Sequence, residues 1–274
     1  MSSTLLSNEN IIRLSVFLGG FILMALWETI ATKRPQTLNR AQRWPHNLVL
    51  VGVNTLLMRL IFPIFPVGVA IWANGEGYGL LNTLSIPNDI SIIIAVILLD
   101  LAIYIQHVIF HKIPVLWRLH RMHHADMEID VTTGARFHPI EIGLSLGIKM
   151  IVIIILGAPA EAVILFEVIL NGASMFNHAN VAIPKTIDRA LRWVLVTPDM
   201  HRIHHSDIRM ETDSNFGFNL PWWDRIFGTY RVEPKHGHDG MTIGLPIFRD
   251  PKEARLDKLL TQPFRDEIQI SADN

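Results

Sequence analysis

Histidine stands out in this chain, with thirteen copies against 24 Lys plus Arg, and most of them fall in spaced groups. His107 and His111 lie four residues apart. His120, His123 and His124 form an HxxHH triplet, and His201, His204 and His205 repeat it further on. Helix residues at i, i+3 and i+4 share one face, so each triplet is expected to present three imidazoles to one side. Neutral imidazole suits iron, copper, zinc and nickel. A transition metal with open positions needs only about three protein ligands, so eight clustered histidines are too many for one ion and suit two. His138 and His178 are each read as a ligand or as a residue that orients one. His46, His236 and His238 are isolated and read as ordinary histidines. There is no cysteine, which excludes disulfides, thiolate zinc sites, a cysteine nucleophile and a cysteine-held iron–sulfur cluster.

The elements that must position these groups are apolar. Half of the 274 residues are hydrophobic, 18% are charged and the mean hydropathy is +0.31. The net charge of −1 leaves no electrostatic footprint for nucleic acid. A first run, Ile11–Thr32, is long enough to cross a ~30 Å hydrocarbon core and has no signal-peptide features. A second, Leu48–Ala73, contains Asn54, Arg59, Pro63 and Pro66, and is expected to be one kinked span with Arg59 facing other helices or an aqueous pocket. A third, Ile90–Ile105, leads directly into His107.

Residues 33–46 carry Lys33, Arg34, Arg40 and Arg43 and no acid, whereas 74–89 carry Glu76 and Asp89 and no base. The positive-inside rule therefore puts 33–46, and the histidines after the third span, in the cytoplasm. The stretch Ile140–Leu170 is divided by Gly157-Ala158-Pro159 into pieces short for a crossing. A hairpin dipping in from the cytoplasmic side is the favoured reading, with two tilted crossings as the alternative. The fold expected is an all-α, multi-span membrane bundle forming one unit over 1–274. It comprises anchor helices at 1–106, a histidine-box region at 107–232 holding the 140–170 hairpin, and a cytoplasmic tail at 233–274. A helical cap would carry the di-metal site.

With the three boxes in place, the chain resembles the fatty acid hydroxylase / sterol desaturase superfamily of integral-membrane di-iron oxygenases. The resemblance rests on His107-Val-Ile-Phe-His111, His120-Arg-Met-His-His124 and His201-Arg-Ile-His-His205. It extends to Asp130-Val-Thr-Thr133, Arg136-Phe-His-Pro-Ile-Glu141, Asn177-His-Ala-Asn180, Thr197-Pro-Asp-Met200 and Asn215-Phe-Gly through to Tyr230, covering about residues 95–232. It implies two irons on the cytoplasmic face that activate O2 against an unactivated C–H bond of a lipid. Members act on sterols, fatty acyl chains, carotenoids or ether lipids. By position, the eight box histidines are the implied ligands, His178 a ninth, and His138 a weaker candidate.

Asp126, Asp130, Asp207 and Asp213, with Asn180 and Asn215, lie close to the boxes and are expected to accept the outer imidazole N–H groups. Electrons must come from a separate reductase or carrier, since neither a dinucleotide fingerprint nor a haem domain is present. Arg118, Arg121, Arg202 and Arg209 are candidates for its docking surface. Trp222, Trp223, Phe227 and Tyr230 read as cap core or interfacial anchors. A bacterial inner membrane is favoured over the endoplasmic reticulum. A membrane zinc hydrolase and a non-enzymatic metal-binding protein are the alternatives; the first lacks the His-Glu-x-x-His motif. The third alternative, a silent scaffold, would be expected to have lost some of the eight histidines.

Overall fold

Runs of Ile, Leu, Val and Ala surrounded by lipid satisfy their backbone groups only by coiling into helices, and the chain's apolar runs do so. The computed structural model describes residues 2–84 and 86–266. The helices that build the site are α1 (Glu9–Ile30), α2 (Arg40–Ile61), α3 (Pro66–Gly75), α4 (Asn88–Lys112), α5 (Pro114–His124), α6 (Pro139–Leu156), α7 (Ala160–His178), α8 (Pro198–His204) and α9 (Trp222–Ile226). Among the described residues there is no β-strand, only the isolated bridges Thr32–Val181 and Ser206–Ile243. Five segments are long and apolar enough to cross a membrane: α1, residues 40–83, α4, α6 and α7. The protein is an all-α integral membrane protein. Residues 267–274 of the tail read at 233–274 lie outside the described residues.

The second run lies within one candidate span, residues 40–83, but its helix is interrupted rather than only kinked. Helix α2 stops at Ile61 and α3 restarts at Pro66. Pro63 and Pro66 each lack an N–H, and each disfavours helical backbone in the residue before it, so the helix breaks. Arg59 is exposed and does not pack into the bundle. The inward stripe of α2 is Arg43, Asn47, Leu50, Asn54 and Met58, and Arg59 lies off it.

Contacts along the bundle show which ends meet. Helix α1 runs beside α7 in the same direction. Arg13 pairs with Glu167 near one end, and Glu28 Oε1 accepts from Asn180 N at 2.9 Å near the other. At the end far from the histidines, Asn74 Nδ2 donates to Ala158 O at 2.9 Å. There Gly79 (φ 97°) lies against Gly157 (φ 64°), so closely that a Cβ on Gly79 would stand 2.0 Å from the Gly157 nitrogen. Both positions require glycine, for left-handed backbone and for space.

The turn between α6 and α7 therefore reaches the 74–88 loop. The two helices run between that loop and the histidines, and each is long and apolar enough to cross a membrane. Helix α6 has 18 residues and α7 has 19, about 27 Å or more each at ~1.5 Å per residue. Sequence reading ended the second piece at Leu170, but the helix continues through polar residues to His178.

The bundle interior is a cluster of buried apolar residues from α3, α4, α6 and α7, among them Ala70, Leu99, Ile153, Val163 and Phe166. At the histidine end, Arg43 of α2 reaches Asp126 and Asp130 beyond α5, so segment 33–46 and the histidines share one end. Chain after His178 covers that end as a cap.

Candidate metal centre

Three local structures deliver the boxes. His107 and His111 occupy the last two turns of α4, on the buried face that also carries Ala95, Leu99, Ile103 and Tyr104. His120, His123 and His124 end α5, a helix opened by Pro114 at its first turn. His201 and His204 lie on α8, capped by the Thr197 side chain on Met200 N, and His205 follows as its C-terminal cap. His178 is the last residue of α7.

All nine side chains are buried, none more than 6% exposed. They form two groups: His107, His111, His120, His124 and His204, and His123, His178, His201 and His205. Within each, one ring nitrogen per residue lies within 4.8 Å of all the others. The triplets do not each serve one side, as the shared-face argument expected. The outer two histidines of the first triplet join the five-histidine group and its middle one crosses to the other. The second triplet does the reverse, sending His201 and His205 to the four-histidine group and His204 back. His124 and His205 stack at the seam with ring centroids 4.6 Å apart.

Hydrogen bonds assign the tautomers. Nδ1 of His107 donates to Phe216 O at 2.8 Å, that of His204 to Ser214 O at 2.8 Å, that of His123 to Arg136 O at 3.1 Å and that of His178 to Ser174 O at 2.8 Å. His120 Nδ1 donates to Glu141 Oε1 at 2.6 Å. Each of these rings, when neutral, holds only a lone pair on Nε2. Yet His107 Nε2 lies 3.0 Å from His120 Nε2 and 3.1 Å from His204 Nε2, and His178 Nε2 lies 3.2 Å from His123 Nε2. Lone pairs aimed at one another repel unless a cation stands among them. Six further buried ring nitrogens, on His111, His124, His201 and His205, have no hydrogen-bond partner.

Burial, then neighbouring imidazoles, hold His123, His124, His201 and His205 well below the ordinary histidine pKa. Burial first, then His120, takes His204 to about 3. Neutral, buried, converging imidazoles are a donor set suited to transition metals, and the two groups could each hold an ion.

A profile of the family described as Fatty acid hydroxylase matches residues 92–229, half of the chain and all nine grouped histidines. The chain belongs to the fatty acid hydroxylase family. It is 28% identical over 149 residues to ornithine lipid hydroxylase OlsE of Rhizobium tropici, covering 54% of this chain and 44% of that protein. It is 28% identical over 150 residues to alkylglycerol monooxygenase of Xenopus tropicalis, covering 54% and 32%. With human cholesterol 25-hydroxylase it shares 26% over 189 residues, 65% of each chain. These matches span less than two thirds of each relative. No solved structure matches the chain.

The outer contacts in this fatty acid hydroxylase family member differ from those the sequence suggested. Of the six acids and amides expected to hold imidazole N–H groups, Asp213 alone among the described residues faces a box histidine, His111 Nδ1 at 3.3 Å. Asp126 pairs with Arg43 at 2.6 Å and Arg136 at 3.0 Å, and Asp130 with Arg43 at 2.5 Å. Burial works against the charge on Asp126, but the two guanidiniums outweigh it and hold its carboxyl below the usual range. Asn180 binds the Arg34 backbone, and Asn215 ties Met200 O to Arg231 O. The Asp207 backbone N–H pairs with Thr242 O. These residues brace the cap because nearness in sequence does not aim a side chain.

His138 falls outside both groups. Its Nδ1 caps α6 by accepting from Ile140 N at 3.2 Å, and its Nε2 meets Leu260 O at 3.3 Å. The sequence pattern placed Glu141 only within the Arg136–Glu141 segment of the resemblance and did not mark it as a partner of His120. It also missed the four backbone carbonyls, which leave no side-chain signal. Arg121 and Arg202 are buried and Arg202 pairs with Asp199. Neither can offer a docking surface; Arg118 and Arg209 are the accessible pair.

Proposed function

We propose that this chain is a membrane-bound di-iron oxygenase that hydroxylates or desaturates a C–H bond of a lipid, using O2 and electrons from a separate carrier. The observation that carries the reading is the convergence of two buried sets of imidazole lone pairs at one end of a membrane bundle, in a member of the fatty acid hydroxylase family. The eight box histidines and His178 would hold the metals, five on one and four on the other. Two irons bound there would supply the O2 reduction that C–H cleavage needs and that acid–base side chains cannot. In hydroxylation the lipid exchanges a C–H for a C–O bond, and the second oxygen leaves as water with two electrons and two protons from the carrier.

The chain's own residues orient and enclose. Phe216 O, Ser214 O, Arg136 O, Ser174 O and Glu141 fix which nitrogen of each ring points inward. Phe216 covers the five-histidine group, with its ring 5.0 Å from His111 and 5.6 Å from His107. Phe137 stacks on His123 at 4.4 Å. These apolar walls exclude water.

The relatives' names speak of an ornithine lipid, an alkylglycerol and cholesterol, and a lipid is their common chemistry. Segment 33–46 lies at the histidine end with its four cations, which supports a cytoplasmic site under the positive-inside rule, in a bacterial inner membrane. The test is a comparison of lipid mass spectra from membranes holding the wild-type chain and His124→Ala. A lipid that gains one oxygen or loses two hydrogens only with the wild type supports the reading. Identical spectra contradict it.

A further inference from the structure

One aromatic side chain touches both histidine groups and the bundle core. The Phe218 ring centroid lies 6.2 Å from that of His107, in the five-histidine group, and 6.3 and 6.2 Å from those of His178 and His201, in the other. On its opposite side Phe218 packs against the bundle core built by α3, α4, α6 and α7. The other aromatic walls differ: Phe216 and Trp117 touch histidines of the five-residue group, and Phe137 is not part of that core cluster. Phe218 is the ring that joins the membrane interior to both groups.

Its backbone is held from several sides. Asp224 accepts from Phe216 N and Gly217 N, both at 2.8 Å. Asn177, beside His178, donates to Phe218 O at 3.0 Å. Asp100, buried in α4, accepts from Trp223 Nε1 at 2.8 Å and from Leu220 N at 3.3 Å. A Cβ on Gly217 would stand 2.7 Å from Asp224 Oδ2 and 2.9 Å from Leu220 O, so the close approach of the loop to Asp224 requires glycine there. A rigid loop that aims one apolar ring at the junction of a lipid-like core and a reactive centre is suited to setting register.

We propose that Phe218 is the specificity-determining residue of this site: its ring fills the end of the passage from the bundle interior and sets which carbon of a lipid's alkyl chain reaches the metals. The inference rests on the oxygenase reading. An alkyl chain approaching from the bundle core meets this ring before either histidine group. Shortening the side chain lets the alkyl chain advance and moves the site of oxidation by one or more carbons.

The experiment uses the full-length protein in membranes, with Phe218→Ala and Phe218→Leu beside the wild type and metal content measured as a folding control. The host's own lipids are analysed by fragmentation for the position of the added oxygen or double bond. In parallel, metal-stripped protein in phosphatidylcholine vesicles with a diazirine on the acyl chain is photolysed and labelled residues are mapped. Label on Phe218, and an oxidised position displaced in both variants at unchanged metal content, are the expected results. An unchanged position, or labelling confined to outward residues such as Trp222, overturns the inference while leaving the oxygenase reading intact. Absence of oxidised lipid with the wild-type chain falls on that reading, and on this inference with it.

Discussion

Glu141, in the first turn of α6, accepts a hydrogen bond from Nδ1 of His120 at 2.6 Å, although the two residues lie on different helices. That bond fixes the His120 ring with Nε2 inward. Partners of this type are worth about 10–100-fold in metal affinity. Glu141→Ala is expected to lose metal on dialysis at concentrations that leave the wild type loaded. Glu141→Gln, which keeps an accepting carbonyl, loses less. Equal retention by all three would show that the contact does not orient the ring.

His178 and His138 flank the same two helices and are expected to behave differently. His178 lies in the four-histidine group, whereas both ring nitrogens of His138 are engaged in capping and in contact with Leu260. His178→Ala should lower metal content per chain. His138→Ala should leave it unchanged and reduce stability by about 1 kcal/mol, as loss of a helix cap does. Metal analysis of the two purified variants separates these outcomes.

Arg43 pairs with two buried carboxylates, Asp126 and Asp130, from a helix some eighty residues earlier in the chain, and Arg136 supplies the second charge at Asp126. Removing Arg43 leaves Asp130 with no cation among the described residues and Asp126 with Arg136 alone, in a site that is at most 2% exposed. Breaking a buried pair this way costs roughly 3–5 kcal/mol. Arg43→Met should unfold in detergent at clearly lower temperature, and adding Asp130→Asn, which removes the carboxylate left with no cation, should restore part of the loss. A Met variant as stable as the wild type would remove this cluster from the account of the cap.

Stability of the metal-stripped chain should depend on pH with a definite sign. Burial lowers the pKa of His123, His124, His201 and His205, and takes His204 to about 3. Unfolded histidines take up a proton as pH falls through about 6.5, while the folded ones stay neutral to far lower pH. The unfolded state therefore binds more protons across that window, and stability falls as pH falls. Melting temperature in detergent, measured on chelator-treated protein from about pH 7.5 to about pH 5, should decline steadily. A flat or rising profile would contradict neutral burial of these rings.

The chemistry of the site was legible from local spacing, because i, i+4 pairs and HxxHH triplets place imidazoles together on any helix. The crossing of His123 and His204 to opposite groups was not legible, since it depends on how α5 and α8 face each other. Charged neighbours misled for the same reason. Asp126 and Asp130 sit near ligands in sequence, yet their partners are Arg43 and, for Asp126, also Arg136. Hydropathy found the spans, but two prolines three residues apart were read as a kink where the helix breaks. The reach of α6 and α7 lies in the contacts of Gly79 with Gly157 and of Asn74 with Ala158, which no periodicity encodes.

The central claim is a pair of metals, one in each histidine group. It is tested most directly by metal content per chain in the detergent-purified protein, beside His124→Ala in the five-histidine group and His205→Ala in the four-histidine group. The account predicts about two irons in the wild type, consistent with nine clustered imidazoles, and a fall in each variant. A single zinc per chain, unaffected by either substitution, would contradict it.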